Sequence, residues 1–428
     1  MSHRKNRQAG ARIRSRVAVI VAGAALLSWA GPGASAFWTA SSNGGTAAAA
    51  ADAVAAGATP STSVSAGNVT LAWNASATLA GRPVSGYTVA RYASASGGTK
   101  VPVGGTCAAT SIAGLGCTDQ GVPTGTWYYT VTPVLAQWTG TESARSAGAA
   151  VDTTPPGAPG ISVPPFVNTG NVSAVPVSGT TEPGASIALT VTDAGAAHTV
   201  PKTVTANGSG AWNATVDLSS LNTGTVTYRA VATDTAGNQG NPATPGTATS
   251  VKDVTAPTVT AVALADSAGL GKDDGMMEPK DTATVTFSEA LDASTICSDW
   301  AAGASGTLKG NNDVTVTISS RNVLTVAVNS SACPTSRIGT VGLGAGTAYG
   351  PATGTVTYKG NGSNASTVSW DASTKKLTIT LGALASGTPN GTEQVAAAPS
   401  YSPSDGIKDI AGNSLGPTTF LSTSTSRF

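Results

Sequence analysis

Charge is scarce in this chain: Asp, Glu, Lys and Arg make up only 11% of its 428 residues. Much of the basic charge sits at one end. Arg4, Lys5, Arg7, Arg12, Arg14 and Arg16 all precede the first acidic residue, Asp52, and removing those six takes the formal net charge from +1 to −5. A mildly acidic remainder with no basic patch argues against nucleic acid as a partner. Histidine is scarcer still, with His198 alone beyond the basic segment. It lies in AGAAHTV and reads as an exposed turn residue. Neither an HExxH nor a GxSxG pattern occurs, and the carboxylates cluster beside glycine in turns, so no catalytic residues are expected. The four cysteines form no CxxC, which argues against zinc binding and thioredoxin-type redox chemistry. Helical periodicity is missing after the N-terminus.

The one sustained apolar run, residues 17–29 (VAVIVAGAALLSW), follows the basic segment and precedes the small residues Ala34-Ser35-Ala36. This order reads as a secretory signal peptide over residues 1–36, cleaved before Phe37. An N-terminal membrane anchor is the second reading, because the run is shorter than the ~20 apolar residues of a spanning helix. No membrane span is expected after signal cleavage, and the C-terminus (STSTSRF) carries neither an anchor helix nor a recognisable sorting motif. The expected location is therefore secreted or extracellular, with cell-wall association as a variant of it. Secretion permits disulfides. Of the three possible pairings, Cys107–Cys117 and Cys297–Cys333 are favoured, since the connectors described next separate the two pairs.

What the chain has in quantity is glycine (52 residues), threonine and valine, the residues of turns and strands. Two similar stretches punctuate it, residues 151–159 (VDTTPPGAP) and 252–259 (KDVTAPTV). Proline fixes φ, offers no N–H to a sheet and holds the preceding residue extended, so both stretches read as stiff connectors. They divide the chain into a low-complexity linker at 37–57 and domains at 58–150, 153–252 and 253–428. The fold class is all-β, with tandem sandwiches joined by Pro-rich linkers.

In the first domain, residues 69–73 (VTLAW), 86–92 (GYTVARY) and 126–134 (TWYYTVTPV) read as strands, the last with Trp127, Tyr129 and Val131 on one face. These three resemble strands B, C and F of a fibronectin type III domain. That resemblance implies a two-sheet sandwich of about seven strands with Trp73 in its core. Trp127 stands where the family usually has a corner tyrosine; its indole N–H can donate, with different geometry. In the second domain, GTTEPGAS at 179–186, GAW at 210–212 and TYRAVATDTAGN at 227–238 resemble the immunoglobulin-like repeats that occur in tandem in bacterial surface adhesins. Val226, Tyr228, Ala230 and Ala232 share one face of that strand. In the third, VTFSEALDASTI at 285–296 and DGIKDIAGNSL at 405–415 resemble the two ends of an immunoglobulin-like type first recognised in surface-layer proteins. Between them lie candidate hairpins, 314–318 with 323–328 and 367–370 with 377–381. The Gly-rich stretch 339–354 precedes no helix and is not a phosphate loop. Together these features resemble a secreted surface protein of actinobacterial type.

Acidic turns are the candidate sites. Asp234 and Asp409 each open a D-x-A-G-N element. One reading is a structural Asx turn. The other is a calcium ligand at a domain end, since Ca²⁺ takes six to eight oxygens from carboxylates and turn carbonyls. In related adhesin repeats calcium often stiffens domain junctions; the resemblance covers the turn motif and not a full ligand set. The candidate ligands are Asp234, Asp253, Asp152 and Glu182, converging if the fold places Asp234 against the Asp253 connector. The other reading is that Asp152 and Asp253 only cap turns before proline. A denser acidic loop carries Asp266, Asp273, Asp274, Glu278 and Asp281, which could surround a cation; its spacing is not that of an EF-hand, and the favoured reading is a solvated loop. Trp138, Trp300 and Trp370 are either packing residues or a sugar-stacking platform. The function expected is a non-catalytic, secreted or cell-surface modular rod in adhesion or envelope structure. Its partner would be an extracellular ligand such as a glycan or a surface protein. The alternative is a carbohydrate-binding accessory module of a polysaccharide-acting system.

Overall fold

A computed structural model describes residues 36–41, 48–267, 275–309, 312–329 and 331–428. The expected signal peptide lies outside the described residues but for Ala36. The protein is all-β, and the chain divides into two compact units. The first runs to Gly157 and takes in Glu182–Ser186 and Ala232–Pro242; the second comprises Ala158–Thr181, Ile187–Val231 and Ala243–Phe428. Two turns from the 153–252 stretch thus group with the first unit. Among the described residues no helix is long and apolar enough to cross a membrane.

The first unit opens on a hairpin, Ala36–Ser41 paired antiparallel with Ala48–Ala53. Its end is packed in: Asp52 and Val54 are 4% and 7% exposed. The linker reading of 37–57 is corrected accordingly. Main-chain pairing holds this Ala-rich run in place, although its sequence shows no amphipathic face. A three-stranded sheet (Ser61–Ser65, Asn68–Ala72, Gly116–Asp119) then faces a second formed by Gly86–Tyr92, Gly125–Leu135 and Trp138–Thr139, with Ala149–Val151 also paired to the long central strand. Alternation decides which side chains go inward. Val69 and Leu71 from one sheet meet Tyr87, Tyr129 and Val131 from the other, with Trp73 among them. Trp73 and Tyr87 pack edge to face at 5.5 Å.

One charge enters that core. Asp119 is fully buried and accepts from Arg91 Nη1 at 2.9 Å, from Tyr129 Oη at 3.0 Å and from the Gly104 N–H. Arg91 also lies 4.6 Å over the Trp127 ring. Trp127 Nε1 donates to Pro123 O at 2.7 Å, so the indole fills the role of a corner residue. Cys107–Cys117 is bonded with Cα atoms 5.1 Å apart, and Cys297–Cys333 in the second unit with 5.6 Å, as the local pairing implied.

In the second unit one sandwich core draws on a five-stranded sheet and on the pair Val175–Thr180/Ala211–Val216. Val226, Tyr228 and Ala230 face it together, each 0% exposed. The first strand here, Phe166–Val167, runs parallel to Gly246–Lys252, the last. Lys252 ends that strand and is 3% exposed. Its ammonium donates to Leu218 O at 2.8 Å, Ser219 O at 3.2 Å and Leu221 O, which satisfies a cation that burial would otherwise make costly. Burial pushes its pKa down, against the pull of Asp193 and Asp217.

The remaining sandwich is larger. A five-stranded sheet runs in the order Val259–Ala265, Thr282–Phe287, Lys376–Thr380, Thr367–Asp371, Gly306–Leu308. The opposing sheet has seven strands: Ala383–Ser386, Thr355–Lys359, Val314–Ser319, Val323–Val328, Thr340–Gly342, Ser400–Ser402 and Phe420–Leu421. Both expected hairpins are present, and Phe287, Trp370 and Tyr401 anchor the shared core. A short α-helix, Ala293–Ile296, is capped by Asp292, whose carboxylate accepts from Ser294 N.

Replacing Trp127 by Phe removes the indole N–H that donates to Pro123 while leaving an aromatic ring for Arg91. We expect the first unit to lose about 1 kcal/mol in urea unfolding, the worth of one intramolecular hydrogen bond; an unchanged midpoint would show the indole N–H to be idle.

Candidate functional site

The carboxylates singled out in the sequence sit in turns built the same way. Asp234 closes a five-residue turn with Asn238: its N–H donates to Asn238 O at 3.0 Å, its Oδ1 accepts from Asn238 N at 2.8 Å and its Oδ2 from Asn238 Nδ2 at 2.8 Å. Asn238 Nδ2 also reaches Asp152 O at 3.0 Å. Asp152 Oδ1 accepts from Thr154 N at 2.9 Å. All of these residues belong to the first unit. Within that unit the Asp234 turn therefore serves the Asp152 connector. Glu182 lies in the same unit, in a turn where Ala185 N donates to its backbone carbonyl at 3.2 Å.

The turn at the Asp253 connector is Asp409–Asn413. Asp409 is 2% exposed and accepts from Asn413 N and Asn413 Nδ2, each at 2.8 Å, while Asn413 Nδ2 also donates to Asp253 O at 3.0 Å. Here a third carboxylate joins. Oxygens of Asp253, Glu289 and Asp409 all lie within 4.8 Å of one another, and among the described residues this is the one such acidic group. Burial, then the Asp253 and Asp409 charges, push the Glu289 carboxyl above the ordinary range. Each carboxylate oxygen has a second lone pair, so hydrogen bonding within the turn does not exhaust the donor set for a hard cation. Sequence reasoning missed Glu289, which ends the strand segment VTFSE with nothing nearby to mark it as a ligand.

Other expectations resolve differently. His198 lies exposed in a bend, as the sequence suggested, and is also paired: Nδ1 stands 2.8 Å from Asp193 Oδ2, and the His198 backbone N–H donates to Asp193 Oδ1 at 3.0 Å. Those bonds, with a third from Asn222 N, hold the buried Asp193 carboxyl well below the usual carboxylate range. The imidazole remains 49% exposed. Trp370 is a core residue at 1% exposure, packed 5.9 Å from Phe287, and Trp300 lies over Gly306, so a shared sugar platform of the three tryptophans is not formed.

The solvated reading of the acidic loop fails at Asp281. It is 0% exposed and accepts from Ser267 N at 3.1 Å and Glu278 N at 2.6 Å. Asp266 Oδ2 and Ser267 Oγ are also buried, with no hydrogen-bond partner among the described residues. Burial, aided by the Asp266 and Glu278 charges and opposed by the two N–H donors, pushes Asp281 up to about 7. Asp273 and Asp274 lie outside the described residues.

No protein-family model matches this chain, and no curated protein matches it. Among solved structures it is similar to a tetra-tandem repeat in the extending region of a large adhesion protein, at 16% identity and a TM-score of 0.25, over 87% of this chain and 88% of that one. It is also similar to the FN1–FN3 domains of chicken CNTN1, at 12% identity and a TM-score of 0.22 over 86% and 99% of the two chains. A third is the chicken interferon gamma receptor alpha chain, at 10% identity and a TM-score of 0.22 over 46% and 98%. The structure itself is all-β, with several sheets packed face to face.

The sign of the Asp281 effect is fixed by its raised pKa. The folded state holds this proton more tightly than the unfolded state, whose carboxyl titrates near 3.8, so the contribution is complete below that value and is lost as pH rises through about 7. Unfolding free energy should fall across this window by up to about 4 kcal/mol. In Asp281→Asn that slope should vanish, whatever the variant's absolute stability. Equal slopes in the two proteins would place Asp281 with ordinary carboxylates.

Proposed function

We propose that this is a non-catalytic, secreted modular protein of the cell surface, working in adhesion or in the structure of the envelope. The observation that carries the reading is modular construction. Three apolar cores follow one another along the chain, each assembled from facing sheets, and both connectors are gripped by the same kind of turn. Such an arrangement suits a chain that spaces and presents surfaces, and the low charge and the two disulfides suit an extracellular setting. The domains are those of the sequence reading, 58–150, 153–252 and 253–428. The ligand of such a protein would be a glycan or another surface protein. Fractionation of the native cells tests this directly. The expected result is protein in the wall or medium with Phe37 as its first residue; recovery from the cytoplasm with Met1 intact would overturn it.

Calcium belongs to this reading at Asp253, Glu289 and Asp409, where an ion would relieve the repulsion of three clustered carboxylates. Thermal melts of the full chain in calcium and in chelator should differ. Saturation at a hundredfold over the dissociation constant stabilises by about 2.7 kcal/mol. Glu289→Gln should shrink that difference. Coincident melts, with no bound metal by elemental analysis, would leave Asp253 and Asp409 as turn residues only.

A further inference from the structure

The two D-x-A-G-N turns do the same thing at two places that the chain reaches by quite different routes. Asn238 Nδ2 donates to Asp152 O across 86 residues of sequence, and Asn413 Nδ2 donates to Asp253 O across 160, each at 3.0 Å. In both connectors the acceptor carbonyl belongs to an Asp whose own carboxylate takes the N–H two residues on, Thr154 in one and Thr255 in the other. The third residue of each turn repeats the match. Ala236 O accepts from Ala66 N at 3.2 Å, and Ala411 O from Asn168 Nδ2 at 2.7 Å. Both amide hydrogens of each Asn side chain are committed, one to the turn's own Asp and one to the connector.

We propose that the D-x-A-G-N turn is a docking site for an extended Asp-x-Thr segment, with which each of these two domains binds the connector leading into it. The recognised chemistry is a main-chain carbonyl presented by an Asx turn. An Asp at the fifth position, with oxygens only, cannot serve it. A match repeated across 86 and then 160 residues is not a by-product of local sequence, and it holds although the second and third sandwiches differ in strand number. The site goes beyond the adhesion reading and requires no cation. The second instance is the tighter. Asn413 is 1% exposed, and its Oδ1 accepts a further bond from Thr169 N at 2.9 Å.

Hydrogen exchange on the full chain, in chelator, tests the proposal. Asn238→Ala should speed exchange in the 150–157 connector about tenfold and leave 251–258 unchanged, and Asn413→Ala should do the reverse, as loss of a net-favourable hydrogen bond dictates. The connector variants Thr154→Pro and Thr255→Pro remove the presenting N–H without touching either turn. Each should loosen its own connector, and each should add little to the matching Asn variant. Unchanged connector exchange in the folded Asn variants overturns the proposal. So does equal loosening of both connectors by either one. Should an Asn variant fail to fold, the matching Pro variant decides: a connector still protected without its presenting N–H refutes the docking site.

Discussion

The sheets that face each other in the three cores each have an apolar side, and covering that side is the constraint on which the rest depends. Strands such as Val69–Ala72 or Thr282–Phe287 alternate, so half of their side chains need a second sheet opposite. The chain meets that need several times over, with facing sheets closing each core. The short stretches between cores are then left with polar main-chain groups that no sheet ladder satisfies. Aspartate and asparagine turns supply those partners, as Asp152, Asp234, Asp253 and Asp409 do.

Buried charge follows the same rule. Asp119 is held by a guanidinium, a phenol and a backbone N–H, and Lys252 by three carbonyls. In each case the ion gathers main-chain or side-chain groups from separate stretches of the chain. Lys252 adjoins Asp253, so the group that pins the end of its strand also fixes where the following connector begins.

Much of this was legible in the sequence because a period of two leaves a plain trace. The strand at 86–92 was read to the residue, the hairpins at 314–328 and 367–381 to within one, and the shared face of Val226, Tyr228 and Ala230 followed from alternation alone. Local cysteine spacing gave the disulfide pairs. What stayed hidden was choice of partner over long distances. Nothing in DTAGN says that its Asn reaches back to Asp152 rather than forward to Asp253, and nothing around Glu289 marks it as the third carboxylate of a cluster. Asp281 misled because charge density normally means solvent, whereas here two backbone N–H groups hold one carboxyl inside. The Ala-rich hairpin misled for the opposite reason, since main-chain pairing requires no pattern in the side chains.

The parallel pairing of Phe166–Val167 with Val251–Lys252 bears on what happens when the chain is pulled. Because the first and last strands of this sandwich point the same way, the polypeptide enters at one end and leaves at the other. Tension applied through the connectors acts along the strands and across the hydrogen bonds between them. Those bonds are loaded together, in shear, and must rupture nearly at once; an antiparallel pair pulled from one end would open a rung at a time. The Lys252 ammonium, bonded to three neighbouring carbonyls, adds a further tether to the same strand at the point where the chain leaves the sandwich.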